Sequence, residues 1–590
     1  PLRPLARIIS AREKGENPDL IVAENIRQRH ENMRDHDRVR AESRLLVLSL
    51  AFLAAFVVVG GRMGVLASRS PQEPVVDSGA STIYAQRADI VDRNGAILAT
   101  NLVTDSLYAQ PPLMVDRGRA AEELGRIFPD LDPKKLLKDF NSKRKFIWLR
   151  QKISPEQQQQ VHDIGDPGLL FGPREMRLYP NGNLAAHVLG GARFGREGVH
   201  SAEIVGVAGV EYEFDKFLRD PANQGAPLQL SIDLTVQAAI RRVLSGGMKL
   251  FNAKGAAAIL MDVKTGEVIS LVSLPDFDPN ARPRPLVKGK ASDSPLFNRA
   301  SQGLYELGST FKVFTAANAL ETKTFTPDTM VATQGPLKWG KFVIKDFHDY
   351  GKTLSLTDVI VKSSNIGAAN IATKVGGGRQ QAFLDSLGLF DPIKFELPAS
   401  RKVRPLLPPK WSELSTMTVA YGHGIAVTPL HLATAYASLL NGGTKVVPTL
   451  LKVSSPPKPG PRVVRPEVSR QLLDILRQVV VRGTASMGNV PGYEVGGKTG
   501  TANKPDPQGG YYEDKVISTF ASVFPTRDPK YVLTVTYDEP EETSGVKPRR
   551  TAGWTAVPVA AEIIRRVAPL LGMRPVIDPK AKMAYTLSKY

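Results

Sequence analysis

The run LLVLSLAFLAAFVVVGG at 45–61, 17 residues without a charge, constrains this chain more than any other stretch. Arg44 and Arg62 bound it. With RMGVLA behind it and Arg62 snorkelling, the run reaches the ~20 residues that a bilayer-spanning helix needs. The competing reading is a buried core helix. A cleaved signal peptide fits poorly, because the 44 polar residues ahead of the run far exceed an n-region. Arg27, Arg29, Arg34, Arg38, Arg40 and Arg44 crowd the upstream side, whereas only Arg62 and Arg69 precede Arg87 downstream. That asymmetry predicts a single-pass inner-membrane protein with a cytoplasmic N-terminus and a periplasmic bulk after about residue 67.

At 590 residues the chain exceeds one ordinary core, so two or more domains are expected. Residues 68–82 are rich in Ser, Pro and Gly and read as a linker. From Ile83 to about Asp220 short strand-like and helical patterns alternate, which predicts a mixed α+β module. DPANQGAP (220–227) marks a boundary, and LQLSIDLTVQAAIRRVL then reads as a strand leading into an amphipathic helix. GAAAILMDV (255–263) and EVISLVSL (267–274) form two β-rich runs around Lys264-Thr265-Gly266, a hairpin pattern. Further strands are expected at FASVFP (520–525) and YVLTVTYD (531–538), and exposed loops at 455–463, 504–514 and 538–552. Strand-rich ends around a helical middle predict an α/β domain of the α+β kind, with a central antiparallel sheet flanked by helices.

The formal charge is +19, and residues 1–44 hold ten basic against eight acidic side chains, so nearly all of the excess lies beyond them. Such a balance suits an anionic partner: a membrane surface, a nucleic acid or an acidic polymer. No recognition helix, RNP-like motif or basic-aromatic interleaving is present, so no nucleic-acid partner is expected. The absence of cysteine excludes disulfides, thiolate metal sites and a Cys nucleophile. The eight histidines lack H-E-x-x-H spacing, no Gly-rich phosphate loop occurs, and His348, beside Asp346 and Asp349, reads as a turn or loop residue. No metal and no cofactor are expected.

Ser-x-x-Lys occurs four times: Ser142/Lys145, Ser309/Lys312, Ser455/Lys458 and Ser544/Lys547. The first lies in a basic run, the third holds two prolines that forbid a regular helix, and the fourth sits in a polar loop. Only the second opens a helix, with Val313, Ala316, Ala317 and Leu320 at i, i+3, i+4, i+7. Projected backward, that stripe carries Ser309 and Lys312 toward the interior, one turn apart and in contact. A serine near a helix start has free N–H groups around it that suit an oxyanion. A buried lysine loses solvation, and moving it from ~10.4 toward ~7 takes roughly 4.6 kcal/mol, part of which a second cation supplies. A neutral amine beside a hydroxyl accepts its proton. From this pair alone, an N-cap serine with a snorkelling lysine is equally good.

Two further elements separate the readings. VKSSNIGAAN (361–370) sets Ser363, Ser364 and Asn365 at the start of another helix. VGGKTGTANK (495–504) places Lys498, Thr499, Gly500 and Thr501 on an extended segment after paired glycines. On a regular strand Lys498 and Gly500 point one way and Thr499 and Thr501 the other, which reads as a carboxylate-binding edge. Lys264-Thr265-Gly266 precedes the other elements and sits in a turn. The order S-x-x-K, S-x-N, K-T-G is the set shared by serine β-lactamases and penicillin-binding proteins.

With YELGSTFK (305–312), RADIVDRNGAILA (87–99), RLYPNGNLAAHVLG (177–190), GHGIAVTPLHLATAYASLLNGG (422–443) and TAGWTAVPVAAEI (551–563), the chain resembles the class B penicillin-binding proteins from about residue 45 to 570. It looks most like their division-specific, FtsI-type branch. Leu307 stands where many relatives have proline, and Ser364 where β-lactamases have Asp; neither is a reacting group. The resemblance implies a cytoplasmic tail at 1–44, a transmembrane helix at 45–66, and a membrane-proximal module of the pedestal or dimerisation type at 67–225. It also implies a transpeptidase domain at 226–570 and a C-terminal tail at 571–590. Ser309 would attack the penultimate D-alanine of a stem pentapeptide and Lys312 take its proton. Ser363 would relay a proton to the leaving amine with help from Lys498, and Asn365 would hold the substrate amide. Thr499 and Thr501 would bind the terminal carboxylate beside Gly500, and the N–H groups of Ser309 and Thr501 would form the oxyanion hole. A second strand's amine would complete septal cross-linking, and β-lactams would stall at Ser309. The implied partners are lipid II-derived peptidoglycan strands, the membrane, an FtsW-like glycosyltransferase and other divisome proteins. The same motifs leave open an elongation-type class B protein, a D,D-carboxypeptidase and a β-lactam sensor. Rapid turnover of a penicillin, or function retained in Ser309→Ala, would mark the last two.

Overall fold

The computed structural model describes residues 9–10, 12–15, 17–68, 87–197, 202–340, 342–455 and 457–576. Residues 69–82 of the linker expected at 68–82, and 577–590 of the tail expected at 571–590, lie outside them. The chain forms two compact units. One combines residues 1–79 with 107–150 and 155–171; the other comprises 80–106, 151–154 and 172–590.

In the first unit, α1 (Pro18–Ser68) is a continuous helix of 51 residues. Its segment Glu42–Gly64 is long and apolar enough to cross a membrane, and none of it is buried against the protein. An apolar helix with no protein around it fits a membrane anchor and not a core helix. Elsewhere in this unit Asp116 and Asp132 cap the helices Arg117–Ile127 and Pro133–Phe140 by accepting from Arg119 N and Lys134 N. The rings of Tyr108, Phe146 and Trp148 pack with centroids 5.0 to 5.9 Å apart.

In the second unit, the stretch RADIVDRNG folds back on itself. Asp92 Oδ1 accepts from Asn94 N and Ala96 N and closes the turn, while Oδ2 accepts from Leu234 N. Arg87 is buried and meets the buried Glu211 at 2.6 Å and Asp215 at 2.7 Å. Arg177 donates to the same Glu211 at 2.7 Å, as does the Tyr179 hydroxyl at 3.2 Å. The two arginines of the resembling motifs therefore share one carboxylate, and each supplies the charge that lets the others stay buried.

The core of this unit is a five-stranded sheet covered by helices. Its elements are α2 (Leu234–Leu250), β1 (Gly255–Asp262), β2 (Val268–Leu274), α3 (Lys312–Glu321), α4 (Leu356–Lys362), α5 (Asn365–Val375), α6 (Pro429–Leu440), β3 (Gly496–Pro505), β4 (Tyr511–Phe524), β5 (Tyr531–Asp538) and α7 (Ala556–Leu570). The strand order is β3–β4–β5–β1–β2, antiparallel throughout. Every residue from Ala256 to Met261 is buried, so both faces of β1 are covered, which explains a run without alternation. α2 and α7 pack together and on the sheet, and α6 packs on β1 and β5. The Tyr537 hydroxyl donates to Leu244 O of α2 at 3.0 Å, and Gly247 makes room for it: a Cβ there would lie 2.2 Å from the Tyr537 hydroxyl oxygen. β3 is a terminal strand, and among the described residues no strand pairs with its outer edge.

Two expectations are corrected. The strand expected from residue 228 is only Leu228–Gln229; beyond it the chain holds a single bridge, Leu230 to Leu451, before α2. The loop expected at 504–514 is largely hairpin, because β3 runs to Pro505 and β4 starts at Tyr511. This arm projects past the core with solvent on both sides, so it carries no apolar alternation to read.

Candidate active site

Ser309 does not lie in an α-helix. Gly308–Phe311 is a 3₁₀ turn, and α3 starts at Lys312. The outcome for the pair is the same, since a three-residue period superimposes i and i+3. Lys312 is fully buried, and its Nζ stands 3.0 Å from Ser309 Oγ. It also reaches Ser363 O at 2.6 Å, Ser363 Oγ at 3.1 Å and Asn365 Oδ1 at 2.7 Å.

Ser363 and Asn365 are placed by a break between helices and not by one helix start. Ser363 closes α4 in the left-handed region, at φ 65°. Ser364, the variable residue of the triplet, caps α5: its hydroxyl accepts from Gly367 N at 2.9 Å and donates to Asp346 Oδ2 at 2.6 Å. Asp346 Oδ1 accepts from the N–H groups of Asn365 and Ile366, and Asn365 Nδ2 donates to Lys345 O. Asp346 thus fixes the first turn of α5 and aims the Asn365 amide at Lys312.

The third element arrives on β3. Lys498 is fully buried and donates to Ser363 Oγ at 2.9 Å and to Thr499 O at 3.1 Å. Thr499 Oγ1 and Thr484 Oγ1 are 2.7 Å apart, and Thr501 Oγ1 accepts from Ala552 N at 3.0 Å. Glycine is required where β3 meets the turn. A Cβ on Gly500 would lie 2.2 Å from Leu307 O, and one on Gly308, at φ 53°, would lie 2.7 Å from Thr501 O. The backbones of Ser309 and Thr501 are brought together by the absence of these two methylene positions.

Ser309, Lys312, Ser363, Asn365 and Lys498 therefore form one hydrogen-bonded chain, with Thr499, Gly500 and Thr501 along its border. Burial, and next the charge of Lys498, hold the Lys312 amine well below the ordinary lysine value, against the pull of Asp346. Burial alone lowers Lys498 to about 7. The other copies of the motifs are scattered. Ser142 Oγ donates to Asp139 O within its own turn. Lys264 is exposed, 3.9 Å from Asp528. Ser544 Oγ accepts from Arg549.

Three neighbours were assigned no role from the sequence: Asp346, Glu306 within YELGSTFK and His423 within GHGIAVTPL. Gly422 lets its loop close on the turn, because a Cβ there would lie 2.1 Å from Gly308 O. His423 follows, with its Nδ1 3.9 Å from Glu306 Oε2.

The sequence matches two family models: "Penicillin-binding Protein dimerisation domain" over residues 82–224 and "Penicillin binding protein transpeptidase domain" over 256–565. It is 36% identical over 552 residues to "Probable peptidoglycan D,D-transpeptidase FtsI" of Caulobacter vibrioides, covering 92% of this chain and 90% of that one. It is 27% identical over 530 residues to "Peptidoglycan D,D-transpeptidase FtsI" of Escherichia coli, covering 84% and 86%. Among solved structures, penicillin-binding protein 3 from Mycobacterium tuberculosis, complexed with aztreonam, superposes with a TM-score of 0.62 at 24% identity, over 84% of this chain and 98% of that one.

Proposed function

The chain belongs to the penicillin-binding protein transpeptidase family, FtsI type, and on that premise we propose that it cross-links septal peptidoglycan through an acyl-enzyme on Ser309. The single observation that carries the residue assignment is the buried amine of Lys312 in contact with two serine hydroxyls, Ser309 and Ser363, the second of which also meets Lys498. Lys312 Nζ takes the Ser309 hydroxyl proton as Oγ attacks the carbonyl carbon of the penultimate D-alanine. The C–N bond to the terminal D-alanine breaks. The leaving amine receives a proton through Ser363 Oγ, whose other neighbour is Lys498. The N–H groups of Ser309 and Thr501 hold the oxyanion, a pair that the glycines at 308 and 500 permit; a typical donor of this kind is worth roughly 2.7–4 kcal/mol. Asn365 holds the substrate amide, and Thr499 and Thr501 hold the terminal carboxylate. In the second half the amine of a neighbouring strand attacks the ester, gives up a proton along the same chain of groups and releases Ser309. β-Lactams acylate Ser309 in place of the donor.

The segment 45–66 anchors this activity in the inner membrane with the N-terminus cytoplasmic. The chain works on strands supplied by an FtsW-like glycosyltransferase among the divisome proteins. The support for this is the unburied apolar helix and the family membership.

The test is peptide mapping by mass spectrometry after a benzylpenicillin pulse. The adduct is expected on the peptide bearing Ser309 and absent from Ser309→Ala. An adduct elsewhere, or one that survives Ser309→Ala, overturns the assignment.

A further inference from the structure

Beside the Asn365 turn stands a two-stranded hairpin, Leu337–Trp339 with Phe342–Ile344, that the acylation chemistry leaves unused. Its register pairs Leu337 with Ile344, Lys338 with Val343 and Trp339 with Phe342. Alternation then sets Leu337, Trp339, Phe342 and Ile344 on one face. The inner half of that face does the packing. Leu337 and Ile344 join Ile366, Ala369, Met417 and Tyr421 in a small apolar cluster. The outer half stays open: Trp339 is 40% and Phe342 50% exposed. Two large rings side by side in solvent, next to a reactive centre, mark a binding surface.

The hairpin is tied to the acylation site through its own strand. Lys345 follows Ile344, and its carbonyl accepts from Asn365 Nδ2 at 2.9 Å. Asp346 comes next and accepts from Ser364 Oγ and from the N–H groups of Asn365 and Ile366. The amide that meets the donor is therefore held by the residues that end the hairpin. Tyr421 borders the same cluster from the loop that closes on the Ser309 turn, where a Cβ on the next residue, Gly422, would lie 2.1 Å from Gly308 O.

Reach and chemistry say which part of a substrate arrives there. With the terminal carboxylate at Thr499 and Thr501 and the substrate amide on Asn365, the rest of the donor stem leaves the cleft past Asn365. Three residues precede D-Ala-D-Ala in a pentapeptide, and through them the stem hangs from a sugar ring. An extended chain advances ~3.3 Å per residue, so the sugar comes ~10 Å beyond the amide. Phe342 lies three residues from Lys345, the same ~10 Å at full extension, with Trp339 as its cross-strand partner. A pyranose suits such rings. Its C–H face is apolar and faintly positive and packs on the negative face of an aromatic ring, while an indole N–H can donate to its oxygens. The charge fits as well. Lys338 and Lys345 are exposed, and among the described residues neither has a carboxylate within ion-pair distance. A stem that carries free carboxylates meets both on its way to the rings.

We propose that Trp339 and Phe342 form a sugar subsite for the amino sugar that carries the donor stem, a proposal that rests on the Ser309 acyl-enzyme above. The donor is recognised as a glycopeptide and not as a bare peptide, and the two rings are specificity-determining residues of acylation.

The test uses the full chain in detergent and two pentadepsipeptide donors ending in D-alanyl-D-lactate, one with N-acetylmuramyl and one with acetyl on its first residue. Each is made with lysine and with diaminopimelate as the third residue, and the faster pair is read. Release of D-lactate and the mass of the Ser309 peptide report acylation. The sugar is expected to raise kcat/KM by at least about tenfold. In Trp339→Ala and in Phe342→Ala the ratio of the two donors falls to within about twofold of one. Stoichiometric labelling of each variant by benzylpenicillin verifies that it is folded, and either variant suffices. A wild-type ratio near one, or a ratio that both variants leave unchanged, overturns the subsite and assigns the rings to another partner. Failure of every donor while benzylpenicillin labels Ser309 overturns it too. Failure of every donor and of benzylpenicillin overturns the Ser309 reading itself.

Discussion

Two lysines are held where water does not reach them, and the protein is less stable for it. Lys498 drops from an ordinary 10.5 to about 7 on folding, a difference on the order of 5 kcal/mol. The folded state therefore binds this proton more weakly than the unfolded state does. The destabilisation is present in full below pH 7 and fades as the pH climbs toward 10.5. Lys498→Met is thus expected to raise Tm most at pH 6 and to lose that gain by pH 10, as read by thermal melts across the range. The same substitution removes the charge that helps to lower Lys312. The acid limb of the pH profile for benzylpenicillin acylation is expected to move to higher pH, while the plateau rate falls. Ser309, Lys312 and Lys498 were legible in the chain because hydroxyl and amine recur at short spacings, three residues or one strand repeat. Glu306 and His423 were not, since each is unremarkable until a loop more than a hundred residues away closes on it. In the sequence Asp346 stands out only as a neighbour of His348; the fold reveals that its carboxylate caps α5.

At the scale of elements, the site exists because a strand and a turn approach within backbone contact. Gly500→Ala would set a methyl 2.2 Å from Leu307 O, and neither backbone can yield without moving the other. A displacement of ~1 Å at a reacting centre costs about 10²-fold in rate, and overpacking about 1–3 kcal/mol in stability. Benzylpenicillin acylation is expected to fall by about that factor in Gly500→Ala while the variant still melts cooperatively. The central strands were legible as strands because burial on both faces selects continuous β-branched and small apolar residues. The hairpin arm at 504–514 was not, because pairing there is held by backbone bonds that leave no mark on composition. The turn at Gly308 was read as α-helix for a similar reason: the apolar stripe of α3 fixes the direction of the helix but not the residue at which its hydrogen-bond pattern changes.

At the scale of the molecule, the buried carboxylate of Glu211 serves two arginines from distant segments, Arg87 and Arg177. Glu211→Ala leaves both guanidinium groups buried without it, and removing one partner of such a group typically costs about 3–5 kcal/mol. The expected outcome is a fall in Tm and earlier proteolytic cleavage between residues 87 and 219, read by melting and limited digestion. The apolar helix Glu42–Gly64 was legible outright, since a membrane-crossing length without charge is one that few soluble segments match. The ionic cluster was legible only as two arginine-bearing motifs, because nothing in local sequence announces which acid they share.

β3 ends its sheet, and among the described residues no strand faces its outer row of N–H and C=O groups. An open edge of that kind ordinarily invites any extended chain to zip on, which is how β-proteins clump. Here the Gly308–Phe311 turn packs on the face of β3 at Gly500 and sets Ser309 beside that edge without covering it. An extended chain that pairs with the edge is thereby led past the nucleophile. One uncovered row of backbone groups is then both a docking strip and an aggregation hazard.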